Sequence, residues 1–166
     1  MSQVVAIISM LHEGAHQHSA QRRFRGEPVL AWTLKRLAKV SRISAGFVIC
    51  WDDQSPTVAE VNRPANWSVA CKGKRRPIAS LDAVSAAGRG VDGWRGGLLQ
   101  TCDFDLGFHG PCVKELAGQS DVLLVDPAAG LLDAGIIEML LDSSHEQPEL
   151  DMFFTQAAPG LAGVVV

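Results

Sequence analysis

Much of the chemistry open to a 166-residue chain is excluded by what this one lacks. Its four cysteines, Cys50, Cys71, Cys102 and Cys112, are widely separated and form no CxxC pair. That argues against a disulfide framework and for a reduced, cytoplasmic protein. Cys50 and Cys71 stand at the ends of apolar runs, where a thiol packs as a small hydrophobe. No GxSxG occurs, so acyl-transfer chemistry has no support. The first apolar run is too short for a membrane span or a signal peptide, and no lysine or arginine precedes it. Neither sign of charge predominates strongly, with 15 lysines and arginines against 18 aspartates and glutamates. A net charge of −3 and a pI near 5.9 give no general reason to expect nucleic acid or an anionic membrane as partner.

What the chain does have is apolar runs of strand length that alternate with helical patterns. Apolar residues make up 47% and charged residues 20%, a globular composition large enough to bury one core without disulfides or structural metal. Val4 to Met10 is continuous, β-branched and apolar, as in a central strand of a parallel sheet covered on both faces. A long polar loop over 11–27 follows. Pro28, already shaped for a helix and giving up no needed hydrogen bond, then predicts a helix to about Val40. Val29, Leu30, Leu34, Leu37 and Val40 form its apolar stripe.

Ser44 to Trp51 repeats the strand pattern and ends in Asp52-Asp53. A short helix opening at Pro56 and a strand over Trp67 to Cys71 follow. Residues 72–76 hold four cations in five positions, which suits phosphate or, equally, a solvated loop. Ser80 caps an expected helix through Ala87. Residues 89–110, with six glycines and three aromatics, read as a functional loop or a cover for the sheet. A helix over Cys112 to Ala117 and a strand over Asp121 to Val125 come next, and the strand runs straight into Asp126-Pro127. Asp133 caps a helix containing Ile136, Ile137, Leu140 and Leu141. Leu150 to Thr155 and Gly163 to Val166 are further apolar runs, the last suggesting an edge strand, a homodimer surface or a core cut short.

Strands alternating with helices predict an α/β three-layer sandwich with a mostly parallel, Rossmann-like sheet. In such sheets ligands sit outside the carboxyl ends of the strands. The 11–27 loop, Asp52-Asp53 and Asp126 collect at that edge. Arg22, Arg23 and Arg25, with the loop amides, are placed to surround phosphates, although the loop matches neither GxGxxG nor the Walker pattern. Asp126 is placed to carry a divalent metal against phosphate oxygens, or simply to form an Asp-Pro turn. His12, His16 and His18 offer three imidazoles to zinc, or are exposed loop residues. Asp103-Phe104-Asp105 spells a DxD motif but follows no convincing strand.

Gly26-Glu27-Pro28 leading into Val29-Leu30-Ala31-Trp32-Thr33-Leu34, and Val125-Asp126-Pro127 followed by Leu131-Leu132-Asp133, resemble the sugar nucleotidyltransferases. The similarity is greatest to cytidylyltransferases that make CMP-activated acidic sugars or act in spore-coat polysaccharide synthesis. It covers residues 3–52 and 120–143. The resemblance implies a nucleotide-diphospho-sugar transferase fold over 1–166, either whole or as the N-terminal part of a longer protein. It also implies transfer of a nucleotidyl group from a nucleoside triphosphate, CTP favoured, to a sugar or sugar phosphate, with Mg²⁺ on Asp126. Arg22 and Arg25 would be catalytic, and His12, Gly14, Arg23, Gly26 and Asp52 would bind the nucleotide. The departures are specific. Leu11, His12, Glu13 and Gly14 stand where the family has an arginine among glycines, Gln17-His18 stand near its lysine, and Glu27 replaces the lysine of Gly-Lys-Pro. A non-catalytic domain binding a nucleotide, a nucleotide sugar or a protein on the same fold is the alternative.

Overall fold

A computed structural model of the chain describes residues 3–10, 20–74, 120–147, 149, 152–154 and 163–165. The first strand, β1 (Val4–Ser9), is central as its composition requires. It pairs in parallel with β4 (Ile43–Cys50) on one side and with β6 (Asp121–Val125) on the other. β5 (Trp67–Cys71) extends the parallel part beyond β4. Beyond β6 lie β8 (Gly163–Val165) and then β7 (Met152–Phe154), giving the order β5-β4-β1-β6-β8-β7. β8 runs antiparallel to both its neighbours. The last apolar run is therefore an interior strand of the sheet, and β7, not β8, forms that edge.

Alternation along β1 sends its side chains to two cores. Val4, Ala6 and Ile8 face a cluster containing residues of all three described helices. These are α1 (Val29–Leu37), α2 (Ser55–Glu60) and α3 (Ala134–Glu146). Val5 and Ile7 face the other way and are buried with Ile49, Trp51, Val122 and Leu124. A strand buried on both faces has no use for alternating polarity, so its sequence is continuously apolar. The helices expected over 80–87 and 112–117, and the glycine-rich stretch between them, lie outside the described residues.

The strand and helix boundaries move by one to three residues from the sequence expectation. α1 begins at Val29, with Pro28 still extended (φ −57°, ψ 146°) as its N-cap. It ends at Leu37, because the Lys39 and Val40 amides bond back only three residues, to Arg36 and Leu37, and tighten the last turn. Asp133 caps α3 as expected, its side chain accepting from the Gly135 amide at 2.7 Å.

The β4–β5 edge shows how closely the layers meet. Gly46 pairs with Trp67 across the strands, and a Cβ on Gly46 would come within 2.2 Å of the indole. Further along the same pair, Cys50 lies opposite Cys71. Burial, then the neighbouring Cys71 thiol, then Asp52 and Asp53 push the Cys50 thiol from 9.0 up to about 12.

Three outcomes are expected. Gly46→Ala should destabilise the protein by about 2–3 kcal/mol in urea unfolding, since the indole has to be displaced to admit the methyl group. Cys50 holds its proton in the folded state up to about pH 12, while the unfolded chain releases it near 9.0. Stability should therefore fall as pH rises through that window, and Cys50→Ala should flatten the fall. Alkylation at pH 8 followed by peptide mapping should mark exposed Cys71 and leave buried Cys50 unmodified until the protein is unfolded.

Candidate functional site

The chain order along the sheet locates a crevice. From β1 the chain moves outward to β4 and β5, then returns to place β6 on the opposite side of β1. The connections thus leave β1 and β6 in opposite directions, and the carboxyl ends of these two strands frame the switch point where open α/β sheets bind ligands. Asp126 follows β6 directly at that point.

Asp126 is buried, at 5% exposure, and one carboxylate oxygen accepts from the Ala128 amide at 2.7 Å. Its own carbonyl accepts from the Ala129 amide at 3.1 Å. The turn-forming role weighed for Asp-Pro is thus present, and it holds the carboxylate rigidly at the strand end. This turn docks on α1. The Thr33 hydroxyl, fully buried, lies 3.1 Å from the Pro127 carbonyl and 3.3 Å from that of Val29. Gly130 comes so close to α1 that a Cβ there would sit 3.2 Å from Val29 Cγ1 and 3.3 Å from Trp32 Cβ. The two segments that carry the sequence resemblance, around 26–34 and 125–133, therefore pack against each other.

Between the loop after β1 and α1 the chain inserts a small hairpin, β2 (Arg23–Phe24) and β3 (Glu27–Pro28). Its two central residues both have positive φ, Arg25 at 51° and Gly26 at 83°, as a two-residue turn matched to strand twist requires. The hairpin closes onto the helix through the Val29 amide, which donates to the Arg22 carbonyl at 2.8 Å. Sequence reasoning missed this element. Strands of two residues are too short to show alternation, and the Arg25-Gly26 pair was the sole available signal.

The three arginines go to different places. Arg23 donates to the Gly26 carbonyl at 2.7 Å and pairs with Glu60 of α2 at 2.5 Å. The guanidinium of Arg25 lies over the Phe24 ring, 5.4 Å from its centroid. Arg22 is exposed, and its carbonyl is taken up by the first amide of α1. Glu27, standing where the resembled family has lysine, binds Lys35 at 2.5 Å, which offsets the repulsion its carboxylate would present to phosphate. Gly26 serves the turn and accepts from Arg23. His12 and Gly14, with His16 and His18, lie outside the described residues, as does the DxD at 103–105.

Asp52 sits beyond β4, one strand away from β1. Its amide donates to the Gly73 carbonyl at 2.9 Å and its carboxylate accepts from the Cys71 thiol at 2.9 Å. The first residues of the basic run thus continue the β4–β5 edge, the Lys72 amide donating to the Cys50 carbonyl. Next to it, buried Gln54 ties the ends of β1 and β4 together. Its side chain donates to the Met10 carbonyl and accepts from the Trp51 amide. The sequence gives no sign of this brace, because a lone glutamine in a short helix reads as solvated until the fold buries it.

The hairpin, α1 and the loop after β6 also enclose a groove of about 460 Å³. Phe24, Val29, Trp32 and Leu131 supply its apolar lining, and Arg25 and Arg36 its charge. The bend that carries the arginines and the turn that follows Asp126 therefore share a groove, although the Asp126 side chain does not line it. Among the described residues no three His, Cys, Asp or Glu side chains converge to hold a metal ion, and no helix is long and apolar enough to cross a membrane.

No protein-family model and no curated protein matches the chain. Solved structures do. The 4-diphosphocytidyl-2C-methyl-D-erythritol synthase of Anaerococcus prevotii is 15% identical, with a TM-score of 0.51 over 86% of this chain and 50% of that one. CMP:2-keto-3-deoxy-manno-octonic acid synthetase, in complex with CTP, is 11% identical, with a TM-score of 0.53 over 92% and 52%. A cytidylyltransferase of Leptospira borgpetersenii is 11% identical, with a TM-score of 0.54 over 99% and 59%. The chain spans only half to three-fifths of the length of these structures. Likeness at such low identity speaks to the fold alone: the mostly parallel α/β sheet of this chain matches the fold of these cytidylyltransferase structures.

Proposed function

We propose that this protein, by itself or with further chain that completes it, transfers a nucleotidyl group from a nucleoside triphosphate, CTP favoured, to a sugar or sugar phosphate in cell-surface polysaccharide synthesis. The observation that carries this reading is the rigidly held Asp126 carboxylate at the switch point of a cytidylyltransferase fold. In the reaction an oxygen of the sugar attacks the α-phosphorus. The bond from that phosphorus to the bridging oxygen breaks, and pyrophosphate leaves with the electron pair.

Magnesium suits the donor chemistry of the site. It takes hard oxygen ligands, and nucleotide enzymes commonly hold it by one or two carboxylates, with phosphate oxygens and water completing the octahedron. One carboxylate at a strand end, with no protein cage of three acidic ligands among the described residues, is compatible with that pattern. Bound by Asp126, the ion would neutralise charge on the triphosphate. The protein's own groups do the rest. Arg22, exposed like Arg23 and Arg25 but with its guanidinium directed to neither Glu60 nor Phe24, would be the cation that meets phosphate oxygens. The Asp126 turn, fixed on α1 through Thr33, keeps the carboxylate from rotating away. A cytoplasmic location belongs to the same reading, Cys50 and Cys71 being free thiols.

A second reading is favoured by the ion pairs. Arg23 is held by Glu60, and Glu27 occupies Lys35, so two positions of the resembled phosphate-binding stretch are bound up with protein carboxylates and lysine. A domain that binds a nucleotide or nucleotide sugar without turning it over would need no more.

Calorimetric titration with CTP separates the two. Transfer chemistry predicts binding that requires Mg²⁺ and weakens at least roughly tenfold in Asp126→Asn, which keeps an acceptor for the Ala128 amide but removes the charge. Magnesium-independent binding unaffected by Asp126→Asn, with no pyrophosphate released from any sugar supplied, would support the non-catalytic domain and defeat the first reading.

A further inference from the structure

The groove between the hairpin, α1 and the loop after β6 has the properties of a ligand site in its own right. Its volume of about 460 Å³ falls in the range of small-molecule sites, which join a mostly apolar lining to a few placed polar groups. Phe24 and Leu131 are 52% and 92% exposed, so two large apolar side chains stand in water at one groove instead of being packed. The floor is ordered. Phe24 meets Trp32 edge to face at 5.6 Å and 69°, the Trp32 indole N–H donates to the Phe24 carbonyl at 3.1 Å, and Lys35 Nζ lies 4.8 Å over the indole.

The charges are arranged to match. Arg23, Lys35 and Arg42 each pair with a carboxylate, from Glu60, Glu27 and Asp142 respectively. No carboxylate partner appears among the described residues for Arg25 or Arg36, and these two line the groove. Arg25 is also an unusual residue for its backbone. At φ 51° it occupies the first central position of the hairpin turn, where asparagine, aspartate or glycine fits without strain and arginine does not. With its guanidinium over the Phe24 ring, Arg25 presents a cation at the mouth of the aromatic groove.

We propose that this groove binds a small amphiphilic anion. An aromatic or otherwise flat apolar body would lie against Phe24, Val29, Trp32 and Leu131, and a carboxylate would lie between the guanidiniums of Arg25 and Arg36. The site is independent of nucleotidyl transfer and requires neither Asp126 nor a metal.

The test uses biphenyl-4-carboxylate as probe and its neutral amide as control, titrated into the full ¹⁵N-labelled chain. The carboxylate should shift the Trp32 indole N–H resonance saturably, and the amide should bind roughly tenfold more weakly, as loss of a charge-assisted pair implies. Arg25→Asn should also weaken the carboxylate roughly tenfold while leaving Tm unchanged or raising it, because asparagine accepts the left-handed turn. Arg36→Gln should weaken it as well. Equal binding of carboxylate and amide, unchanged affinity in both variants, or no saturable shift at Trp32 would each overturn the proposal. So would a fall in Tm on Arg25→Asn with affinity intact, since Arg25 would then be there for the fold.

Discussion

The double burial of β1 is the constraint from which the rest follows. Its residues carry no charge and pair in parallel on both sides, Val4 to Ser9 with β4 and Val4 to Ile8 with β6, which draws the backbone into ladders and the side chains of both faces into cores. A strand so placed cannot slip by one residue without exchanging its two faces. Its carboxyl end is therefore fixed relative to β4 and β6, and the crevice outside it is fixed as well. Gln54 adds to this by bonding the ends of β1 and β4 across the crevice side of the sheet.

Around that edge, polar groups are held by backbone as much as by one another. Asp126 is set by its own turn, that turn by Thr33, and Thr33 by the buried face of α1. The hairpin in front of α1 takes up the Val29 amide, one of the donors a helix start leaves without an intrahelical partner. It also distributes the three arginines, one to an ion pair, one to an aromatic ring and one to solvent. A stretch that looks uniformly basic in sequence thus becomes three separate environments.

The parallel core was legible from composition, since a strand buried on both faces writes itself as a continuous apolar run, as β1, β4 and β6 do. Caps were legible where a side chain has one dominant local use, as Asp133 has at the start of α3. The hairpin was not, because two-residue strands carry no period and Arg25 is a poor former of the turn it occupies. The antiparallel direction of β8 was hidden for another reason. A three-residue apolar strand has the same pattern in either direction, and only its partners decide. At the site, position relative to strand ends was readable for Asp126 and Asp52, whereas the direction taken by each arginine depended on residues far along the chain, such as Glu60.

The proposed function requires a nucleotide and its divalent ion to sit outside β1 and β6, against Asp126. Substituting Mn²⁺ for Mg²⁺ in the presence of CTP and recording paramagnetic broadening of the backbone amides tests this most directly. Broadening is expected to centre on residues 8–10 and 126–129 and to be lost in Asp126→Asn. Broadening centred elsewhere, for example around Asp52 or Asp142, or none at saturating nucleotide, would contradict it.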